Sequence, residues 1–129
     1  MGARHVKLTF LGKDSTPSNS PTLYATDEAS YVVQGWIVSD PEVLAGLAIG
    51  DDETVVEVPA RLLSHLVKDG LSGDVTTVMP PIVHVKKNGN YIVQGARVND
   101  PAVLAQMNIP DYETCVQVQK HAVAALVGG

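Results

Sequence analysis

The stretch YVVQGWIVSDPEVLAGLAIGDDETVVEVPARLLSHLV, residues 31–67, is written a second time as YIVQGARVNDPAVLAQMNIPDYETCVQVQKHAVAALV, residues 91–127, at a fixed offset of 60 residues without a gap. About half of the aligned positions are identical. A register of that length marks an internal duplication, in which kept positions report what a shared fold needs and differing positions report what one copy does alone. Working outward, the match begins near Pro21 and Pro81. The chain therefore divides into an N-terminal strand and flexible loop (residues 1–20), a first repeat (21–67), a linker (68–80) and a second repeat (81–127). Each repeat is near the lower size limit for independent stability, so the two are expected to share one core.

Within each copy the order of elements is legible. A short apolar stretch, Thr22 to Ala25 or Ile82 to Val85, leads into a polar turn and then into the strand opened by Tyr31 or Tyr91. In the second copy the turn is Asn88-Gly89, a strong hairpin signal because both residues tolerate positive φ, whereas the first copy has Glu28-Ala29 and a turn that must differ or be strained. Asp40-Pro41 and Asp100-Pro101 read as helix starts: the Asp caps free N–H groups and proline suits the first helical position. The next strand alternates, with Val56, Val58, Val116 and Val118 on the core side and Val55, Glu57, Cys115 and Gln117 on the other. A last helix carries Leu62, Leu63, Leu66 and Val67, or Val123, Leu126 and Val127. The fold class expected is α+β: two tandem ββαβα repeats forming one pseudo-twofold-symmetric domain with mainly antiparallel sheet. His5 to Leu11 alternates as a further strand, residues 12–21 read as a surface loop, and VTTVM in the linker reads as a strand of similar role.

Composition excludes several classes. A net charge of −5 with nine Lys and Arg spread along the chain argues against nucleic acid as the main partner. One cysteine, Cys115, cannot form an intramolecular disulfide and reads as a small apolar filler. The opening MGARHVKLTFLGK lacks the apolar run of a signal peptide or membrane span, so the expectation is a cytoplasmic protein with no membrane association.

The search for chemistry yields little. His5, His65, His84 and His121 show no metal-ligand spacing, Asp51-Asp52-Glu53 with Asp111 and Glu113 reads as a solvated acidic strand entry, and no phosphate loop, nucleophile elbow or zinc signature occurs. No catalytic residue, metal or cofactor is assigned. The distinctive shared string is Tyr-x-Val-Gln-Gly. Gln34 and Gln94 need hydrogen-bond partners if buried, either across the copy interface or from a loop backbone, or they serve as paired donors to a small ligand. Gly35 and Gly95 then permit a bulge or a close backbone approach.

Differences between the copies point further. From residue 21 to 67, Arg61 stands against eight acidic residues, a net −7, while from 81 to 127 the net is +1, with Lys86, Lys87, Arg97 and Lys120. Trp36 and Ile37 face Ala96 and Arg97 in the alignment. Trp36 and Ile37 beside an acidic face suit a protein partner; the alternative is that Trp36 fills core space that Ala96 leaves to a neighbour. The residues singled out for ligand or partner binding are thus Gln34, Trp36, Ile37, Gln94 and Arg97.

The strings Phe10-Leu11-Gly12-Lys13-Asp14, Ser20-Pro21-Thr22-Leu23-Tyr24-Ala25-Thr26-Asp27, Tyr31-Val32-Val33-Gln34-Gly35-Trp36, Asp40-Pro41-Glu42 and Glu53-Thr54-Val55-Val56-Glu57-Val58-Pro59 resemble a family of small, functionally uncharacterised actinobacterial proteins typical of Streptomyces. The resemblance covers residues 7–67 closely and the second copy more loosely. It implies a regulatory or accessory role near helix-turn-helix regulators, with a single repeat in many members, and supplies no catalytic residues. The expectation for function is a non-enzymatic protein-interaction or regulatory accessory module, with another protein such as a transcriptional regulator, or a second copy of the chain, as partner. The alternative is a small-ligand binding protein or unrecognised enzyme with its site between the repeats.

Overall fold

The structure, a computed structural model, describes residues 6–13 and 21–128. The loop expected over residues 12–21 and His5 thus lie largely outside the described residues. The chain is α+β, with a mainly antiparallel seven-stranded sheet and few, short helices. Strands β1 (Leu8–Lys13), β2 (Thr22–Thr26) and β3 (Ser30–Ile37) precede helix α1 (Pro41–Ala45), strand β4 (Glu53–Val58) and a 3₁₀ helix (Ala60–Asp69). Strands β5 (Ile82–Val85) and β6 (Tyr91–Arg97), helix α2 (Pro101–Leu104), strand β7 (Glu113–Gln119) and helix α3 (Lys120–Ala124) follow.

The long pairings join residues far apart in sequence. β3 runs antiparallel to β7, with Tyr31 opposite Val118, Val33 opposite Val116 and Trp36 opposite Glu113. β4 runs antiparallel to β6, with Val58 opposite Tyr91, Val56 opposite Val93 and Glu53 opposite Ala96. Two short contacts, Trp36 and Ile37 on Glu57 and Val56, and Ala96 and Arg97 on Gln117 and Val116, join β3 to β4 and β6 to β7. Strands β3, β4, β6 and β7 thereby close a ring, in which β4 and β7 are each paired at two residues on their second edge. β2 and β1 extend it on one side and β5 on the other.

Closure places one set of side chains inward. Val56, Val58, Val116 and Val118 join the main core with Tyr31, Val33, Val93 and Leu23, as the alternation predicts. The opposite side is less exposed than that alternation implies, because Val55 and Cys115 are also buried. Leu62, Leu63 and Leu66 of the 3₁₀ helix cover one end, with Val123 and Leu126 nearby. Full burial of each such aliphatic side chain contributes roughly 1.5–3 kcal/mol. Val67, expected on the same apolar face, is 58% exposed. At three residues per turn, Leu63 and Leu66 eclipse while residue 67 rotates off the face.

Local signals explain the element boundaries. Asp40 Oδ1 accepts from Glu42 N–H and Asp100 Oδ1 from Ala102 N–H, each at 2.9 Å, with Pro41 and Pro101 behind them. The second hairpin turns on Gly89 alone, at φ 89°; its N–H reaches Lys86 O, and Asn88 keeps a negative φ, contrary to the two-residue turn expected from Asn-Gly. In the first hairpin Ala29 takes the left-handed conformation, φ 55°, which costs a non-glycine residue about 1–2 kcal/mol. The turn is therefore strained, as the missing glycine suggested. β1 extends to Lys13, beyond the Leu11 expected, with a register shift between Phe10 and Gly12. Gly12 passes under the His65 ring, where a Cβ would have no room. The VTTVM segment makes one bridge, Val75 to Val127, instead of a strand.

Candidate functional site

The two glutamines shared by the copies occupy matching hydrogen-bond settings. Gln34 Nε2 donates to Glu113 Oε1 at 2.6 Å and to Asn108 O at 2.8 Å. Gln94 Nε2 donates to Glu53 Oε1 and to Ala48 O, both at 2.9 Å. Each amide thus ties a β3 or β6 strand to the strand entry and loop of the other repeat, which is the interface role weighed in the sequence. Gly35 and Gly95 provide close approach and not a bulge: a Cβ on them would lie 2.5 Å from Glu57 O and 2.6 Å from Gln117 O.

Burial separates the two settings. Gln34 is 2% exposed and Glu113 4%, while Gln94 and Glu53 are only half-buried. Glu113 therefore does not belong to a solvated acidic turn, although Asp51, Asp52 and Asp111 remain exposed. Burial pushes the Glu113 carboxyl above its ordinary value, against the opposing pull of Gln34 and Lys13. Hydrogen bonds from Gly50 N–H and Gln94 hold Glu53 below its ordinary value. Glu113 Oε2 and Gln34 Oε1 are both buried without a partner among the described residues.

The open setting lies in a cleft of about 520 Å³ whose walls include Leu47, Glu53, Pro81, Gln94, Ala96 and Ala122. Its lining carries the smaller residue of several aligned pairs. The second repeat has Ala96, Ala122 and Val83 where the first has Trp36, Leu62 and Leu23, and the first has Gly46 and Ala48 where the second has Gln106 and Asn108. Around Gln34, Gln106 also holds β1, donating to Val6 O and accepting from Leu8 N–H. The sequence reading sets Trp36 against Ala96 as a partner surface or a core filler and not as a cleft, and the Leu62 to Ala122 change is a signal that it passes over.

The other singled-out residues scatter. Trp36 is half-buried on β3, between core and surface, and is opposite Glu113 and Glu57. Ile37 is exposed beside exposed Tyr112, each at 49%, and Ile37 N–H donates to Tyr112 O. At the corresponding place on β6, Arg97 is exposed and its N–H donates to Asp52 O. Lys86 pairs with Glu57 at 3.1 Å, and Lys87 lines a groove shared with Asp40, Glu42 and His84, so the positive charges of that hairpin are set among negative ones. A further polar cluster joins the repeats: buried Tyr31 donates to Asp69 Oδ2 at 2.5 Å, and Lys120 reaches the same oxygen at 3.0 Å.

Cys115 is buried, and desolvation pushes its thiol up to about 11, far from a nucleophile's range. Among the described residues no group of three or more His, Cys, Asp or Glu is placed to hold a metal ion, and no helix is long and apolar enough to cross a membrane. Comparison of the chain with protein-family models, with curated proteins and with solved structures gives no match.

Proposed function

We propose that the chain is a cytoplasmic binding module made of two ββαβα units about an approximate twofold axis, and that its ligand is a small molecule held in the cleft beside Gln94 and Glu53. The observation that carries this reading is the contrast between two matching Gln–Glu pairs, one sealed and one open to a cleft of about 520 Å³. That volume falls within the usual range for small-molecule sites, and a mostly apolar wall with a few convergent polar groups is their usual character. Among the described residues Glu53 is the one titratable side chain of that wall, which favours binding over proton-transfer chemistry. A thermal-shift screen with amide chemical-shift mapping tests it. A compound at one hundred times its dissociation constant stabilises by about 2.7 kcal/mol. Hits whose shifts gather at Gln94, Ala96 and Ala122 support the reading; hits that all map elsewhere, or none, overturn it.

The protein-interaction reading rests on a separate observation, the exposed Ile37 of the acidic repeat lying beside the exposed Tyr112 of the second repeat. In that reading the partner is another protein, a transcriptional regulator in an actinobacterial regulatory setting, or a second copy of the chain. Ile37→Asp, with the fold kept, is expected to abolish co-purification or self-association; unchanged association refutes it.

A further inference from the structure

We infer that the cleft takes a flat aromatic ligand bearing an N–H or ammonium donor, with the ring lying over Ala96 and the donor meeting the Glu53 carboxylate. This rests on the cleft reading and narrows it. The first repeat supplies its own occupant of the equivalent place. Trp36 stands directly opposite Glu113, and Ala96 stands directly opposite Glu53. Where the indole is present, the neighbouring Gln–Glu pair is 2% and 4% exposed; where a methyl group replaces it, the pair is half-buried. Ala122 for Leu62 and Val83 for Leu23 enlarge the same space. The side-chain volume removed relative to the first repeat is that of an indole and parts of two aliphatic chains.

The polarity of the ligand follows from the hydrogen bonds already made. Gln94 Nε2 spends its two protons on Ala48 O and Glu53 Oε1. Glu53 Oε1 also accepts from Gly50 N–H at 3.0 Å, while Glu53 Oε2 accepts from none of the described residues. A carboxylate with one oxygen unfilled, at the rim of an apolar cleft, rewards a donor and most of all a cation. Asp51 and Asp52 lie next to it in the chain, exposed and acidic, and disfavour an anionic ligand.

The test titrates tryptamine into the labelled protein and follows the Gln94 side-chain amide by NMR, with indole-3-acetate and 2-cyclohexylethylamine as matched controls. Tryptamine is expected to bind at the cleft, with each control weaker by about tenfold or more. Ala96→Trp, which rebuilds the plug, is expected to weaken tryptamine by at least about tenfold. Ala122→Leu, a smaller filling, gives the same direction should Ala96→Trp not fold. Equal binding of the saturated amine at the cleft overturns the aromatic assignment and leaves the cleft reading intact. Equal binding of the acetate overturns the donor assignment in the same way. Tryptamine binding that neither variant weakens overturns the placement over Ala96. If tryptamine shifts no cleft residue while other screened compounds do, the ligand class is wrong; if nothing shifts them, both readings fall.

Discussion

Glu113→Gln should make this protein more stable at neutral pH, although it removes a hydrogen-bonded carboxylate. In the native chain Gln34 Nε2 donates to Glu113 Oε1 at 2.6 Å, and the remaining oxygens of the same two side chains, Gln34 Oε1 and Glu113 Oε2, are buried and unpartnered. A buried acceptor left unsatisfied costs about 1–3 kcal/mol, and a formed hydrogen bond returns about 0.5–1.5 kcal/mol net. A glutamine at 113 keeps an oxygen for Gln34 Nε2 and replaces the unpartnered acceptor Oε2 by an NH₂ donor. It also removes a charge from a site 4% exposed. The expected gain at pH 7 is about 1–2 kcal/mol, several degrees in Tm for a chain of this size.

The pH dependence distinguishes this account from a packing effect. Burial raises the folded-state value for Glu113 above the ordinary 4.5, so the protonated form is favoured by folding. Its contribution is fully present below about pH 4.5 and is lost as pH rises through the folded value. The protonated acid, like glutamine, turns one unpartnered acceptor into a donor. Urea denaturation of both proteins at pH 7 and pH 4 should therefore show a gain that shrinks towards pH 4. A destabilised Glu113→Gln at pH 7, or an equal gain at both values, refutes the reasoning.

The mirror substitution Glu53→Gln has the opposite sign: Gly50 and Gln94 hold the Glu53 value down, so the variant loses stability at pH 7 and the loss fades as pH falls through the carboxylate range, measurable in the same urea series. Ala29→Gly relieves a left-handed alanine at φ 55°, and the gain, after the extra freedom of the unfolded chain, is about 0.5–1 kcal/mol by chemical denaturation. Gly35→Ala places a Cβ 2.5 Å from the Glu57 carbonyl oxygen and 2.6 Å from Val58 Cγ1, and should cost about 2–3 kcal/mol in the same assay; a neutral result refutes the close approach.

What could be read from residues alone was whatever rests on neighbours in the chain. Asp40-Pro41 and Asp100-Pro101 announce helix starts because capping is completed within two residues. The inward set Val56, Val58, Val116 and Val118 follows from strand alternation. By contrast, the partner of Gln34 lies 79 residues away, and no local pattern names it. Glu113 was misjudged for the same reason: an acidic residue after Asp111 and Tyr112 reads as solvated until β7 is laid beside β3. VTTVM has strand-forming residues, yet only Val75 finds a cross-strand neighbour, because β-propensity describes fit to a sheet and not the presence of one. The cleft was half legible. Trp36 against Ala96 was visible in the alignment, but that the lost indole leaves a space required the opposed strand and the trimmed Ala122 to be placed.

The closed ring of β3, β4, β6 and β7 also sets an order on the birth of this protein. β3 gains its long partner only when residues 113–119 exist, and β4 only when residues 91–97 do. A growing chain adds about 5–20 residues per second, so Ser30–Ile37 waits on the order of ten seconds for β7. During that interval Tyr31, Val32 and Val33, all buried in the finished fold, lack the β7 side of their pairing. The two halves cannot complete their sheets in turn: residues 91–119 must be made before β3 and β4 have their long partners.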